Sequence, residues 1–147
     1  MITQGAMTII LNDRDEILLA KRQDYPLWDL PGGRMEELET PIECAIREAK
    51  EETGYEIEIK EKVGEYHRPD VGDIQHIFVG IITGGRSVGS NEETRELRFY
   101  KRHKLPTWMV PHRKRQINDW INGCRNTSLT LRDHRNVISL LSAMLLK

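Results

Sequence analysis

Glu48, Glu51 and Glu52 are the residues of this chain whose type and spacing could do chemistry together. Separations of three and four residues make helical side chains neighbours, so the three carboxylates share an arc roughly 100° wide. That arc falls in the last turn, where the helix dipole is already negative and each acid is disfavoured by roughly 0.3–1 kcal/mol. Arg47, one turn before Glu51, offsets only part of this. A cation between the carboxylates would account for the arrangement, and an all-oxygen donor set favours Mg²⁺ or Mn²⁺ over zinc. A solvated acidic face is the other reading of the same residues.

The helix that must position these groups has both ends written in the sequence. Thr40 followed by Glu43 makes a capping box, and Pro41 falls at the first helical position, where its missing N–H costs nothing. Gly54 stands where helices stop in a left-handed turn. These signals predict a helix over Pro41–Thr53, with Ile42, Ala45, Ile46 and Ala49 as the apolar arc that packs inward.

From Gly33 the pattern runs Gly, five residues, Glu39, seven residues, Arg47-Glu48, a small apolar residue, any residue, Glu51-Glu52, any residue, Gly54. This resembles the Nudix box, the signature of hydrolases acting on nucleoside diphosphates linked to another group. Tyr55, where that family usually has an aliphatic residue, is a soft departure. The resemblance implies an α/β fold, an α/β/α sandwich on a mixed β-sheet. It implies Mg²⁺, with Mn²⁺ as a substitute, held by Glu48, Glu51, Glu52 and the Gly32 carbonyl. Glu39 and Arg47 match positions that pair and brace the loop against the helix. A further glutamate outside the box is expected as metal ligand or general base. Glu93 is the first choice, with Glu92 and Glu96 behind it. The implied reaction is hydrolysis of a phosphoanhydride bond in a nucleoside diphosphate derivative (a nucleoside triphosphate, ADP-ribose or a nucleotide sugar). The catalytic set is Glu48, Glu51, Glu52 and Glu93, and which of them is the base stays open. The alternative is a non-catalytic Nudix-fold module that binds nucleotide or regulates. Such modules often lose box carboxylates, and none is lost here.

At 147 residues the chain is expected to be one domain, 1–147. The resemblance covers about 5–123, and 124–147 would be a helical extension. Twenty-two Lys and Arg against 23 Asp and Glu leave a net charge of -1, which argues against bulk nucleic-acid binding. Acid concentrates between Glu36 and Glu61, and base between Arg95 and Arg115. Cys44 and Cys124 form neither a disulfide framework nor a metal-ligand spacing. With no leader pattern and no membrane-length apolar run, a cytoplasmic protein with reduced thiols is expected.

Strands are expected over Gly5–Leu11, Glu16–Arg22, Tyr55–Tyr66 and Ile74–Thr83, and another ending at Tyr100. Lys21 and Arg22 are candidates for a substrate phosphate or base contact. Trp28 could stack on a nucleobase or sit in the core. His67 and His76 lack a zinc spacing. The segment Gly84–Ser90 lacks the ending of a phosphate-binding P-loop and reads as a mobile hairpin loop that could act as a lid. A second helix spans Pro111–Asn122, its basic start facing an anion or water. A third, Leu131–Lys147, has enough apolar surface for docking or a homodimer contact.

Overall fold

The computed structural model describes residues 2–90 and 94–132, the Arg95 side chain excepted. Eight strands and two helices follow in the order β1 (Thr3–Leu11), β2 (Ile17–Arg22), β3 (Trp28–Asp29), β4 (Gly32–Arg34), α1 (Pro41–Thr53), β5 (Tyr55–Arg68), β6 (Asp73–Gly85), β7 (Thr94–Tyr100), α2 (Arg113–Ile121) and β8 (Thr127–Thr130). The strands make one sheet in the order β3-β2-β1-β6-β5-β8, with β4 added to β1 and β7 to β2. It is mixed, because β1 runs parallel to β6 and β5 parallel to β8 while the other pairs are antiparallel.

Side chains alternate across a strand, and β1 shows what that does here. Ala6 and Ile10 point toward α1, where they meet Cys44, Ala45 and Ala49. Ile9 and Leu11 point the other way into the larger core with Ile117 and Trp120 of α2. The helices therefore cover opposite faces, which gives the expected sandwich. Strand β2 is buried on both sides, Leu18 toward α1 and Ile17 and Leu19 toward α2.

Helix α1 begins and ends where its signals place it. Thr40 Oγ1 accepts from Glu43 N at 3.1 Å, and Glu43 Oε1 accepts from Thr40 N at 3.0 Å. Gly54 has φ 85 and its N–H reaches Lys50 O. The inward face is a correction. Cys44, Ala45, Glu48, Ala49 and Thr53 are the buried residues, while Ile42 and Ile46 are 48% and 40% exposed. Small residues face the sheet because the helix lies close to it, and the branched side chains turn outward.

Other differences concern short or extended pieces. Strand β4 occupies Gly32–Arg34, expected as loop, and pairs with Gly5–Met7. The second helix starts at Arg113 rather than Pro111, since His112 takes φ 73 and Trp28 and Met109 form a parallel bridge just before it. Gly84 and Gly85 belong to β6, and Val88 N–H donates to Thr53 O at 2.9 Å, tying the expected lid to the end of α1. Residues 127–130 form a strand, not part of a helical extension, and Leu131 N–H continues it by donating to His67 O. The rest of the expected third helix, 133–147, lies outside the described residues. Among the described residues no helix is long and apolar enough to cross a membrane.

Candidate active site

Three pieces meet at a cleft of about 650 Å³: the end of β2, the β3–β4 turn and the inner edge of α1. Arg22, Gly32, Glu48 and Glu52 line it, as expected of substrate and metal residues. Asp24, Asp29 and Thr94 line it as well. Gly32 and Gly33 let the strand come this close. A Cβ on Gly32 would meet Ala6 O and lie 2.6 Å from Met7 Cα, and one on Gly33 would lie 2.6 Å from the Glu48 carboxylate carbon. Contacts that short do not occur, so the second glycine makes a cradle for Glu48. Gly33→Ala is expected to displace Glu48 and lower activity at least tenfold while the fold survives, checked by kinetics beside a circular dichroism melt.

Arg47 organises the carboxylates. Its Nε donates to Glu39 Oε2 at 2.6 Å and its Nη2 to Glu39 Oε1 at 2.9 Å, the two-pronged pairing expected of these positions. Nη2 also reaches Arg34 O at 3.1 Å, joining helix to loop. Nη1 goes further than the sequence suggested and lies 3.0 Å from Glu48 Oε1 and 3.1 Å from Glu51 Oε2. The guanidinium holds the Glu39 carboxyl far below its ordinary value, at about 2. The sign follows: Glu39 stabilises the fold fully above its ordinary 4.5, and the contribution disappears as pH falls toward 2. Glu39→Gln is expected to flatten the melting temperature against pH across that window, measured by thermal melts from pH 2 to pH 6.

The third carboxylate, Glu52, accepts from Gly32 N at 3.2 Å. Glu48 is buried at the wall, only 9% exposed, while Glu51 projects outward. Among the described residues no three His, Cys, Asp or Glu side chains converge as a ready metal cluster. The expected gathering of Glu48, Glu51 and Glu52 is thus not found as a closed site. Like charges repel, and Arg47 draws two of the three toward itself. The Nη1 end of that guanidinium is already seated between Glu48 and Glu51, and both atoms it meets there are hard carboxylate oxygens. The residues present therefore fit a divalent hard cation.

Arg22 faces them from β2. Its Nε and Nη2 donate to Asp24 at 2.9 and 2.8 Å, and its guanidinium lies 4.6 Å from the Tyr25 ring centroid. Asp24 raises the Arg22 pKa further, and Arg22 in turn pulls the Asp24 carboxyl down. Asp29 Oδ2 stands 3.8 Å from Arg22 Nη1, and its other oxygen accepts from Leu30 N and from Arg113 Nε. Arg113, only 3% exposed, also donates to Gln75 and Gln116 at 3.0 and 3.1 Å. One residue of the basic run that opens α2 is therefore turned into the core, to hold the cleft floor.

Trp28 is not brought into this cleft. It is 7% exposed, lies in the core on the α2 side and meets Tyr100 edge-on at 5.2 Å, so the stacking role expected for it does not belong here. Glu93 and Glu92 lie outside the described residues. Asp29, which lines the cleft, and Arg113, which pairs with it, are residues of this site that sequence reasoning missed. The available signal was an acid immediately before the Leu30-Pro31-Gly32-Gly33 run.

A glycine-lined turn against a helix edge of carboxylates, with an arginine across the cleft, offers donors suited to a hard cation and to an anionic group. The NUDIX domain profile matches residues 1–121, and the chain belongs to the Nudix hydrolase family. A Bacillus subtilis protein assigned as an 8-oxo-dGTP diphosphatase is 50% identical over 133 residues, covering 90% of this chain and 89% of that one. A Methanocaldococcus jannaschii ADP-ribose pyrophosphatase is 32% identical over 123 residues, covering 78% of this chain and 72% of its own. The crystal structure of a Nudix hydrolase from Nitrosomonas europaea superimposes with a TM-score of 0.76 at 22% identity, over 90% of this chain and 80% of that one. The protein is a hydrolase, and Nudix hydrolases generally use divalent metals.

Proposed function

We propose that this enzyme hydrolyses a phosphoanhydride bond of a nucleoside triphosphate in the presence of Mg²⁺, with an oxidised purine nucleotide such as 8-oxo-dGTP as its best substrate. The observation that carries the substrate class is the 50% identity, across nearly the whole of both chains, to the B. subtilis protein assigned as an 8-oxo-dGTP diphosphatase. The cleft suits it: about 650 Å³ accommodates a nucleotide, with a cation on one wall and carboxylates on the other.

Glu48, Glu51, Glu52 and the Gly32 carbonyl would hold Mg²⁺, or Mn²⁺ in its place. When bound, the metal supplies charge neutralisation on the diphosphate oxygens and makes water more acidic. Arg22 binds phosphate oxygens, exchanging part of its pairing with Asp24 for them. Arg47 keeps Glu48 oriented and Glu39 keeps Arg47 fixed. One carboxylate of the set Glu48, Glu51, Glu52 and Glu93 takes the proton of the attacking water. Arg22→Ala is expected to raise KM about tenfold to a hundredfold with a smaller change in kcat, as for loss of a charged hydrogen bond, measured in steady-state kinetics.

The reading is tested by kcat/KM on a panel of 8-oxo-dGTP, dGTP, ADP-ribose and a nucleotide sugar, with products identified. Preference for 8-oxo-dGTP, giving the nucleoside monophosphate, supports it. Preference for ADP-ribose or the nucleotide sugar would move the chain toward its M. jannaschii relative's substrate.

A further inference from the structure

On β2 and β3 neighbouring residues face opposite sides, and only one side belongs to the cleft. Arg22 and Asp29 line the cleft, whereas Lys21 and Trp28 line a separate hollow of about 530 Å³. Its walls are Pro26, Leu27, Trp28, Pro106 and Trp108, and Lys21 is the charged residue among its lining. Trp108 is 65% exposed. Its backbone is nonetheless fixed, because Trp28 N donates to Trp108 O at 3.0 Å and Val110 N donates to Trp28 O at 2.9 Å. An indole standing in water on a pinned backbone is a platform that loses little freedom when something stacks on it.

The charge around it narrows the occupant. No acidic residue occurs between Glu96 and Asp119, a stretch that includes Trp108. Lys21 Nζ and the Arg98 guanidinium each lie 5.8 Å from the Trp28 ring centroid, and Lys114 Nζ donates to Thr107 O at 3.3 Å. Glu96, opposite Lys21 in the β2–β7 register, pairs with Arg98 and so leaves Lys21 as the cation available to a ligand. A second copy of the chain seated here would bring two such basic stretches together. A neutral apolar peptide would leave Lys21 unused. A molecule with one planar ring and one anionic group uses both features, since any base can stack on an aromatic face and a lysine binds phosphate as a point charge.

We propose that this hollow is a second nucleotide site, with the base on Trp108 and the phosphate at Lys21. It lies on the sheet face opposite the carboxylate cleft and does not depend on what that cleft hydrolyses. AMP is the probe, because it has no phosphoanhydride bond to be cut. Tryptophan fluorescence of the full chain is titrated with AMP, adenosine and inorganic phosphate separately. Saturable quenching by AMP, and weaker quenching by adenosine, is expected. Trp108→Leu should weaken AMP binding at least tenfold. Lys21→Met should weaken AMP severalfold and leave adenosine unchanged, and Arg22→Ala, which alters only the cleft, should change neither. AMP binding kept by Trp108→Leu, lost in Arg22→Ala, or matched by phosphate alone would overturn the proposal. So would absent quenching together with a dimer, seen by sedimentation, that Trp108→Leu dissociates, because the face would then join two copies.

Discussion

Glu52→Gln is expected to lower kcat about 10²–10⁴-fold with little loss of stability. The Gln side chain keeps the shape and an oxygen that can still accept from Gly32 N, where Glu52 Oε2 now accepts at 3.2 Å. What disappears is the negative charge at the cleft wall, on which the proposed metal binding and proton transfer both depend. Two readouts separate these losses. Calorimetric titration with Mn²⁺ reports the metal affinity without turnover, and kcat at saturating metal reports what remains. If Mn²⁺ affinity is unchanged while kcat falls, Glu52 is the base rather than a ligand. A variant as active as the parent would remove Glu52 from the chemistry.

The largest expected loss of stability comes from Arg113→Met, at about 3–5 kcal/mol, the usual cost of breaking a buried ion pair from one side. Arg113 is almost wholly enclosed, and its removal leaves Asp29 at the cleft floor with only the more distant Arg22 guanidinium and strips a donor from Gln75 and Gln116. For a chain of 147 residues each kcal/mol moves the melting temperature by roughly 2–4 °C, so the drop should be about 6–20 °C. Adding Asp29→Asn should recover part of it, because the amide has no charge to leave uncompensated. A double variant no better than the single one would mean that packing of the Arg113 side chain, not its charge, holds α2 in place.

How much of this was legible in the residues depended on the range of the interactions. The α1 boundaries were, because capping box, Pro41 and Gly54 act within one turn. The Glu39–Arg47 brace was legible through the resemblance, and eight residues on a loop and a helix are a short distance to close. The face that α1 buries was not. Apolarity alone favours Ile42 and Ile46 as inward residues, but the separation of helix and sheet selects Cys44, Ala45 and Ala49, and that separation is set by strands far away in sequence. Arg113 was illegible for the same reason. A basic residue among His112, Lys114 and Arg115 looks solvated until Asp29, 84 residues earlier, is seen beside it. Strands β3, β4 and β8 have two, three and four residues, too few for any alternation to register, and exist through their pairing with longer neighbours.

Metal held by the carboxylates of α1 is proposed to drive phosphoanhydride hydrolysis. Release of pyrophosphate from 8-oxo-dGTP by the purified chain is to be measured with Mg²⁺, after chelation, and after Mg²⁺ is restored. Turnover that stops on chelation and returns with the metal is the expected result. Turnover that survives chelation, or none from 8-oxo-dGTP and every other member of the panel with Mg²⁺ or Mn²⁺ present, would contradict it.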